Sequence, residues 1–258
     1  MEQASYGYWL PPNYSTHGAG IDQLISVLHW FMLILFVVWG IYLVYCLVKF
    51  RERPGHEADV LPKHFSLPTY AEIGVVIVEA GLLIFFSYPV WARVKTEFPK
   101  ESDSLHIRML AEQFAWNFHY AGADGKFGTT KIELIDGTNP IGLDANDSAS
   151  KDDLVTTNQL VVPVNKPIII DLASKDVIHA FFIPVMRVKQ DVIPGMEIPI
   201  WFEATKTGEF EIGCAQLCGV GHYRMMGQFH VKEAGEYENW YKTEWAALNP
   251  DAAGSENK

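Results

Sequence analysis

Residues 214–225 read Cys-Ala-Gln-Leu-Cys-Gly-Val-Gly-His-Tyr-Arg-Met. Two thiols, an imidazole and a thioether fall within this one short segment. Cys214, Cys218 and His222 are spaced four apart, and Met225 follows three later. Such soft donors suit copper better than magnesium or calcium. A Cys-x3-Cys pair has two other readings, a disulfide or a zinc site completed by two outside ligands. Methionine is a poor zinc ligand, and one upstream histidine would complete a copper set. His179 is the candidate for that place.

The segment lies between two β-rich runs, 208–213 and 227–232. Working back along the chain, similar runs recur at 106–111, 113–120, 130–135, 159–162, 168–172, 179–183 and 197–203. Pro and Gly separate several of them, as in Pro163-Val164-Asn165-Lys166-Pro167 and Pro194-Gly195. Many short strands with such turns predict a β-sandwich or Greek-key barrel. Gly235 to Leu248 reads as a closing helix, packed through Trp240 and Trp245. Residues 137–158 are polar and predict a surface loop or partner-facing insert. The tail 249–258 reads as disordered.

Two N-terminal runs are long enough to cross a bilayer. Leu24 to Val48 carries no charge, and Ile73 to Trp91 carries only Glu79. A spanning helix needs about 20 such residues. Residues 1–23 hold no Lys or Arg, whereas the connector holds Lys49, Arg51, Arg53 and Lys63. The connector is therefore expected in the cytoplasm, with both chain ends outside. This predicts an outer-face segment 1–23, a transmembrane helical hairpin 24–92 with a cytoplasmic loop at about 50–69, and a soluble outer domain 93–248. A basic n-region is missing, so a cleaved signal peptide is not indicated. The chain carries 20 Lys/Arg against 31 Asp/Glu, a net charge of −11. Most of that excess falls in the outer domain, which disfavours nucleic acid and would steer a cationic partner. Cys46 lies alone in the first span and reads as a packed residue.

Taken with Asp176-Val177-Ile178-His179, the 214–225 segment resembles the copper-binding motifs of subunit II of cytochrome c oxidase, in the heme–copper oxidase family. The resemblance covers almost the whole chain. It implies an all-β cupredoxin-like Greek-key sandwich behind the two spans. It also implies a dinuclear copper A centre, with Cys214 and Cys218 bridging two ions and His179 and His222 each binding one. Met225 would be a weak ligand to one copper and the backbone carbonyl of Gln216 a weak ligand to the other. Asp176, three before His179, would orient the site or face a partner, and Lys189 and Asp191 would lie near subunit I. No residue of this chain would be catalytic in itself. Electrons would come from a c-type cytochrome and pass to heme in subunit I, where oxygen is reduced to water and protons are pumped. Other oxidase subunits and membrane lipid complete the expected partners. The bacterial inner membrane is the expected location.

Two departures accompany the resemblance. Many members place Glu between the cysteines, where it helps hold magnesium at the subunit I boundary. Gln216 stands there, and a neutral amide is a weaker magnesium ligand. The family's aromatic cluster reads Gln113-Phe114-Ala115-Trp116, so Phe114 takes the usual position for electron uptake and Trp116 is the second candidate. Charged residues at membrane depth are costly and often functional. Glu72 and Glu79 are thus candidates for a proton path. Rival readings are the electron-uptake subunit of a copper A-type nitric oxide reductase, and a non-catalytic copper-binding membrane protein. A quinol oxidase subunit of the same fold would lack the donors, and a nitrous oxide reductase would need a large His-rich domain. A fused heme domain would need Cys-x2-Cys-His, which is absent.

Overall fold

The computed structural model describes residues 10–55 and 67–249. The inner-loop residues Leu61, Pro62 and Lys63, and the tail beyond Asn249, lie outside the described residues. Those up to Ala19 form one compact unit with those from Glu97 onward, and those of Gly20–Thr96 form another.

Helix α1 (Gly18–Lys49) has 32 residues, about 48 Å at 1.5 Å per residue. That exceeds the roughly 30 Å hydrocarbon core of a bilayer. Its surface is apolar all round, with Phe36, Trp39, Leu43 and Leu47 exposed, the pattern of a helix that needs a non-aqueous surround. The Ser15 hydroxyl caps its start by accepting from Gly18 N at 3.1 Å. The second apolar segment, Pro68–Lys95, contains α2 (Leu67–Leu82) and α3 (Tyr88–Lys95), joined by a π-helical turn at Leu83–Ser87. Pro89 is the second residue after that turn. Its ring has no N–H and would clash with the carbonyl four residues back, and a widened turn relieves the clash. Both helices outrun the expected spans because propensity carries them past the apolar stretch.

The outer unit is a sandwich of two five-stranded sheets. One has the order β3 (Leu154–Thr157), β2 (Ala115–Tyr120), β1 (Leu105–Glu112), β5 (Pro167–Ser174), β8 (Ile198–Glu203). The other runs β4 (Gln159–Pro163), β10 (Met226–Lys232), β9 (Gly208–Cys214), β6 (His179–Ile183), β7 (Val188–Val192). The sheets are mixed, because β1–β5 and β4–β10 pair in parallel. Alternation sets which side chains point inward. In β1, Ile107, Met109 and Ala111 are buried while Arg108 is exposed. Trp116, Phe118 and Tyr120 of β2 meet Phe181, Phe202 and Phe229 in one core cluster. Tyr120 anchors β4 by donating to Val161 O and accepting from Val161 N.

Three readings of the sequence need correction. Residues 130–135 do not form a strand. Thr130 makes a single bridge to Leu143, and Ile132–Leu134 is a 3-10 turn. Side chains take over the backbone there: Asp136 Oδ1 accepts from Thr138 N and Asn139 N, and Asn139 bonds both N and O of Leu143. Local bonds of this kind compete with a sheet ladder. Residues 137–158 are not simply a loop, because Leu154–Thr157 forms β3 against β2. The segment before β3 reaches the outer face of β2 through Asp153, which meets the buried His119. Strand β7 was hidden by its polar Lys189-Gln190-Asp191 sequence. The residues just before α1 join the sandwich. Tyr14 N donates to Val185 O, and Thr205 N donates to Tyr14 O. The closing helix α4 (Ala234–Leu248) packs through Trp240 and Tyr241, while Trp245 Nε1 donates to Lys151 O at 3.2 Å.

The insert carries an acid-sensitive set. Asp136, Asp144 and Asp147 are held below the ordinary carboxylate range by hydrogen bonds, chiefly from Thr138, Lys131 and Thr129 respectively. A carboxyl depressed in the folded state stabilises the fold above its unfolded value, about pH 4. That contribution disappears as pH falls through the depressed folded values. Amide exchange protection at Thr129, Thr138 and Asn139 is expected to drop below about pH 4 while protection in β5 persists. Equal loss in both places would refute it.

Candidate metal centre

Sheet pairing places the first two donors. His179 opens β6 and Cys214 ends β9, and Cys214 lies in register with Phe181. Ala215 N donates to Ala180 O at 3.0 Å, and Cys214 N donates to Met225 O at 3.2 Å. These bonds close the loop from Cys214 to Met225 over the strand ends. A 3-10 turn at His222–Arg224 brings the His222 ring back toward the cysteines.

The soft donors converge on Cys218. Its Sγ lies 3.9 Å from Cys214 Sγ, 3.6 Å from His222 Nδ1 and 3.6 Å from Met225 Sδ. Donor atoms of His179, Cys214 and Cys218 all lie within 4.8 Å of one another. Cys214 Sγ is 3.1 Å from Gln216 O, while the Gln216 side chain points away and is exposed. Cys218, Met225 and His179 are buried.

Two observations fit this set to a metal. His179 Nε2 is 2.9 Å from Asp176 Oδ1, whereas its Nδ1 is buried without a hydrogen-bond partner. An imidazole tied through one nitrogen to a carboxylate, with the other unspent, has the form of an oriented metal ligand. Leaving that nitrogen unpaired in the interior is otherwise costly. The second observation is the donor chemistry itself, two thiols with imidazoles and a thioether. Burial, followed by the neighbouring Cys214, pushes the Cys218 thiol up to about 11. A bound cation would oppose that rise and hold the Cys218 sulfur as a thiolate. Burial alone would raise the Asp176 carboxyl, but hydrogen bonds from His179, Gln113 N and Val177 N hold it low.

The aromatic candidates separate. Trp116 is fully buried, with its ring 6.0 Å from that of His179 and 5.5 Å from that of Phe181. It is a core residue packed against the ring of the candidate ligand His179. Phe114 lies half-buried over the ligand loop. A Cβ on Gly221 would come within 2.4 Å of its ring, so that position requires glycine. The Arg224 guanidinium sits 5.9 Å from the Phe114 ring centre. Around the loop Leu217, Val220 and Tyr223 are exposed, forming an apolar rim. Lys189 and Asp191 are exposed on β7, an edge strand, and Glu72 and Glu79 are exposed on α2. A separate cleft of about 250 Å³ beside Arg108, His119, Asp171 and Glu197 contains none of the soft donors. Motif reading met Gln113 only as the head of the aromatic cluster, and its contacts arise only from folding.

The family model for the periplasmic domain of cytochrome c oxidase subunit II matches residues 105–230. The chain is 31% identical over 234 residues to the alternative cytochrome c oxidase subunit 2 of Bradyrhizobium diazoefficiens, covering 90% of this chain and 82% of that one. It is 28% identical over 238 residues to the cytochrome c oxidase subunit 2 of Cereibacter sphaeroides, covering 85% and 76%. Among solved structures, the periplasmic domain of cytochrome oxidase subunit II from Bradyrhizobium japonicum is 32% identical, with a TM-score of 0.41 over 57% of this chain and 96% of that one. Identity of 31% to the Bradyrhizobium diazoefficiens subunit, over most of both chains, shows that the chain belongs to the cytochrome c oxidase subunit 2 family.

Proposed function

We propose that this chain takes up electrons for a membrane-bound heme–copper oxidase, through a dinuclear copper centre held by His179, Cys214, Cys218, His222, Met225 and the carbonyl of Gln216. The observation that carries the reading is the convergence of three further soft side-chain donors on the buried Cys218 sulfur. When bound, the copper pair supplies a one-electron carrier whose charge is spread over two ions.

The chain's own residues do the rest. Thiolates favour Cu(I) and imidazoles also suit Cu(II), so this donor set tolerates both states. Strands β6 and β9 fix two of the donors, and Asp176 fixes the ring of His179. Leu217, Val220 and Tyr223 shield the loop and offer an apolar contact to a partner. The acidic surface attracts a basic donor, for which a c-type cytochrome is the fit. Phe114 is the point of electron uptake, since it alone of the two aromatic candidates reaches the surface. Heme in subunit I receives the electron, with Lys189 and Asp191 at that boundary. Oxygen reduction and proton pumping take place in the partner, and Glu72 and Glu79 feed its proton path. The exposed Gln216 amide is a weak magnesium ligand, so magnesium is not part of the proposal. The assembly sits in the bacterial inner membrane with the β-domain outside.

The test uses the full chain in detergent, reconstituted with copper under reducing conditions. Two coppers per chain, with electron paramagnetic resonance hyperfine splitting shared over both nuclei, are expected. A single copper, a zinc ion or a Cys214–Cys218 disulfide would overturn the reading.

A further inference from the structure

Gln113 touches both arms of the donor set at once. Its backbone N–H donates to Asp176 Oδ2 at 2.7 Å, and the other oxygen of that carboxylate meets His179 Nε2. Its side-chain Nε2 donates to the backbone carbonyl of Cys218 at 2.5 Å. The two bonds span 63 and 105 positions of sequence. Sequence around the contact is adapted to it. Gly219 has φ +136, and a Cβ there would fall 2.7 Å from Gln113 Nε2. The loop therefore turns beneath the amide in a conformation that L side chains rarely adopt.

We infer that Gln113 is a positioning residue for the metal donors, joining the histidine arm to the cysteine arm through a single amide side chain and its own N–H. Its partner on the loop is the carbonyl of the most central donor, Cys218. An amide nitrogen can donate to that carbonyl, whereas a carboxylate cannot. Without this bond the Cys218 turn lies between loop ends held by Cys214 N to Met225 O and Ala215 N to Ala180 O. Cys218 then gains freedom relative to His179. Groups that orient ligands from outside the coordination sphere typically change metal affinity by about 10–100-fold.

The inference rests on the copper reading above, and the experiment separates the two. Wild type, Gln113→Leu and Gln113→Glu are prepared as full chains in detergent. Leucine removes the donor, and glutamate keeps the length but turns an oxygen toward the Cys218 carbonyl. Both leave the backbone bond to Asp176 in place. The readouts are copper release into a chelator, the paramagnetic hyperfine pattern and the melting of the metal-free protein. Expected is copper release about tenfold faster in Gln113→Leu and faster again in Gln113→Glu, with altered hyperfine splitting and unchanged metal-free melting. Wild-type release rates and spectra in both variants would overturn the inference alone. Faster release matched by a lowered metal-free melt would also overturn it, because the role would then be one of general packing. If wild type takes up no copper, the copper reading falls and the inference falls with it.

Discussion

Replacing Cys218 by serine is expected to abolish copper binding and, in the assembled oxidase, the oxidation of a reduced c-type cytochrome. Cys218 is the donor that the others surround, with Cys214, His222 and Met225 all within 3.9 Å of its sulfur. A serine hydroxyl is a hard, far less acidic donor and does not replace a thiolate in a soft set. The loss is not a matter of folding. Cys218 is 4% exposed, and burying a hydroxyl there without a partner costs about 1–3 kcal/mol. A domain of this size can absorb that. Copper per chain should fall from two to none in a protein whose metal-free circular dichroism matches wild type. Oxidation at the wild-type rate would sink the assignment of the centre.

The largest effect on stability is expected from Asp153→Ala. The Asp153 side chain is fully buried beside that of His119, which is 3% exposed. One carboxylate oxygen meets His119 Nε2 at 2.6 Å and Gly128 N at 2.8 Å, and the other accepts from Gly122 N at 3.3 Å. It therefore ties strand β2 to both ends of the following loop. Alanine leaves an imidazole and two amides unpaired in a closed space, where the Phe127 ring lies 5.0 Å from that of His119. Breaking a buried pair by removing one partner costs about 3–5 kcal/mol. Urea unfolding of the full chain, followed by tryptophan fluorescence, would measure it. Asp153→Asn keeps one acceptor oxygen and should lose less. A cost for Asp153→Ala below about 0.5 kcal/mol, the ordinary range for surface sites, would show that the pair does not hold the insert.

Why some of this was legible in the sequence, and some not, follows from the range of the interactions. The apolar runs around Leu24–Val48 and Ile73–Trp91 are local signals, and they mark both long helices. Donor types at fixed spacing are equally local, so the loop from Cys214 to Met225 could be read directly. Strands with alternating burial, such as β1, showed themselves through period two. Strand β3 did not, because Leu154-Val155-Thr156-Thr157 lies at the end of a polar insert and becomes a strand only by pairing with β2. Asp136 and Asn139 bent 130–135 into a turn through bonds that hydrophobic alternation does not register. Trp116 and Phe114 stand two apart in one aromatic cluster, yet one is wholly buried and the other lies over the loop. Only the packing of Phe181 and His179 against Trp116 decides that. Gln113 was legible only as the head of that cluster, and its contacts were not, since both its partners are distant in sequence.

The pairing of β10 with both β9 and β4 has a consequence for biosynthesis. The chain is made from its N-terminus, so His179 emerges first and the Cys214–Met225 loop much later. That loop is not closed until Met226–Lys232 has followed and docked between two earlier strands. During this interval the two thiols are already outside the membrane, in a compartment that favours disulfides, yet have no finished pocket around them. On the proposed copper reading, metal binding by the complete donor set would follow the arrival of the last strand and would need the thiols still reduced. The order of synthesis would then make the metal a late component of this domain.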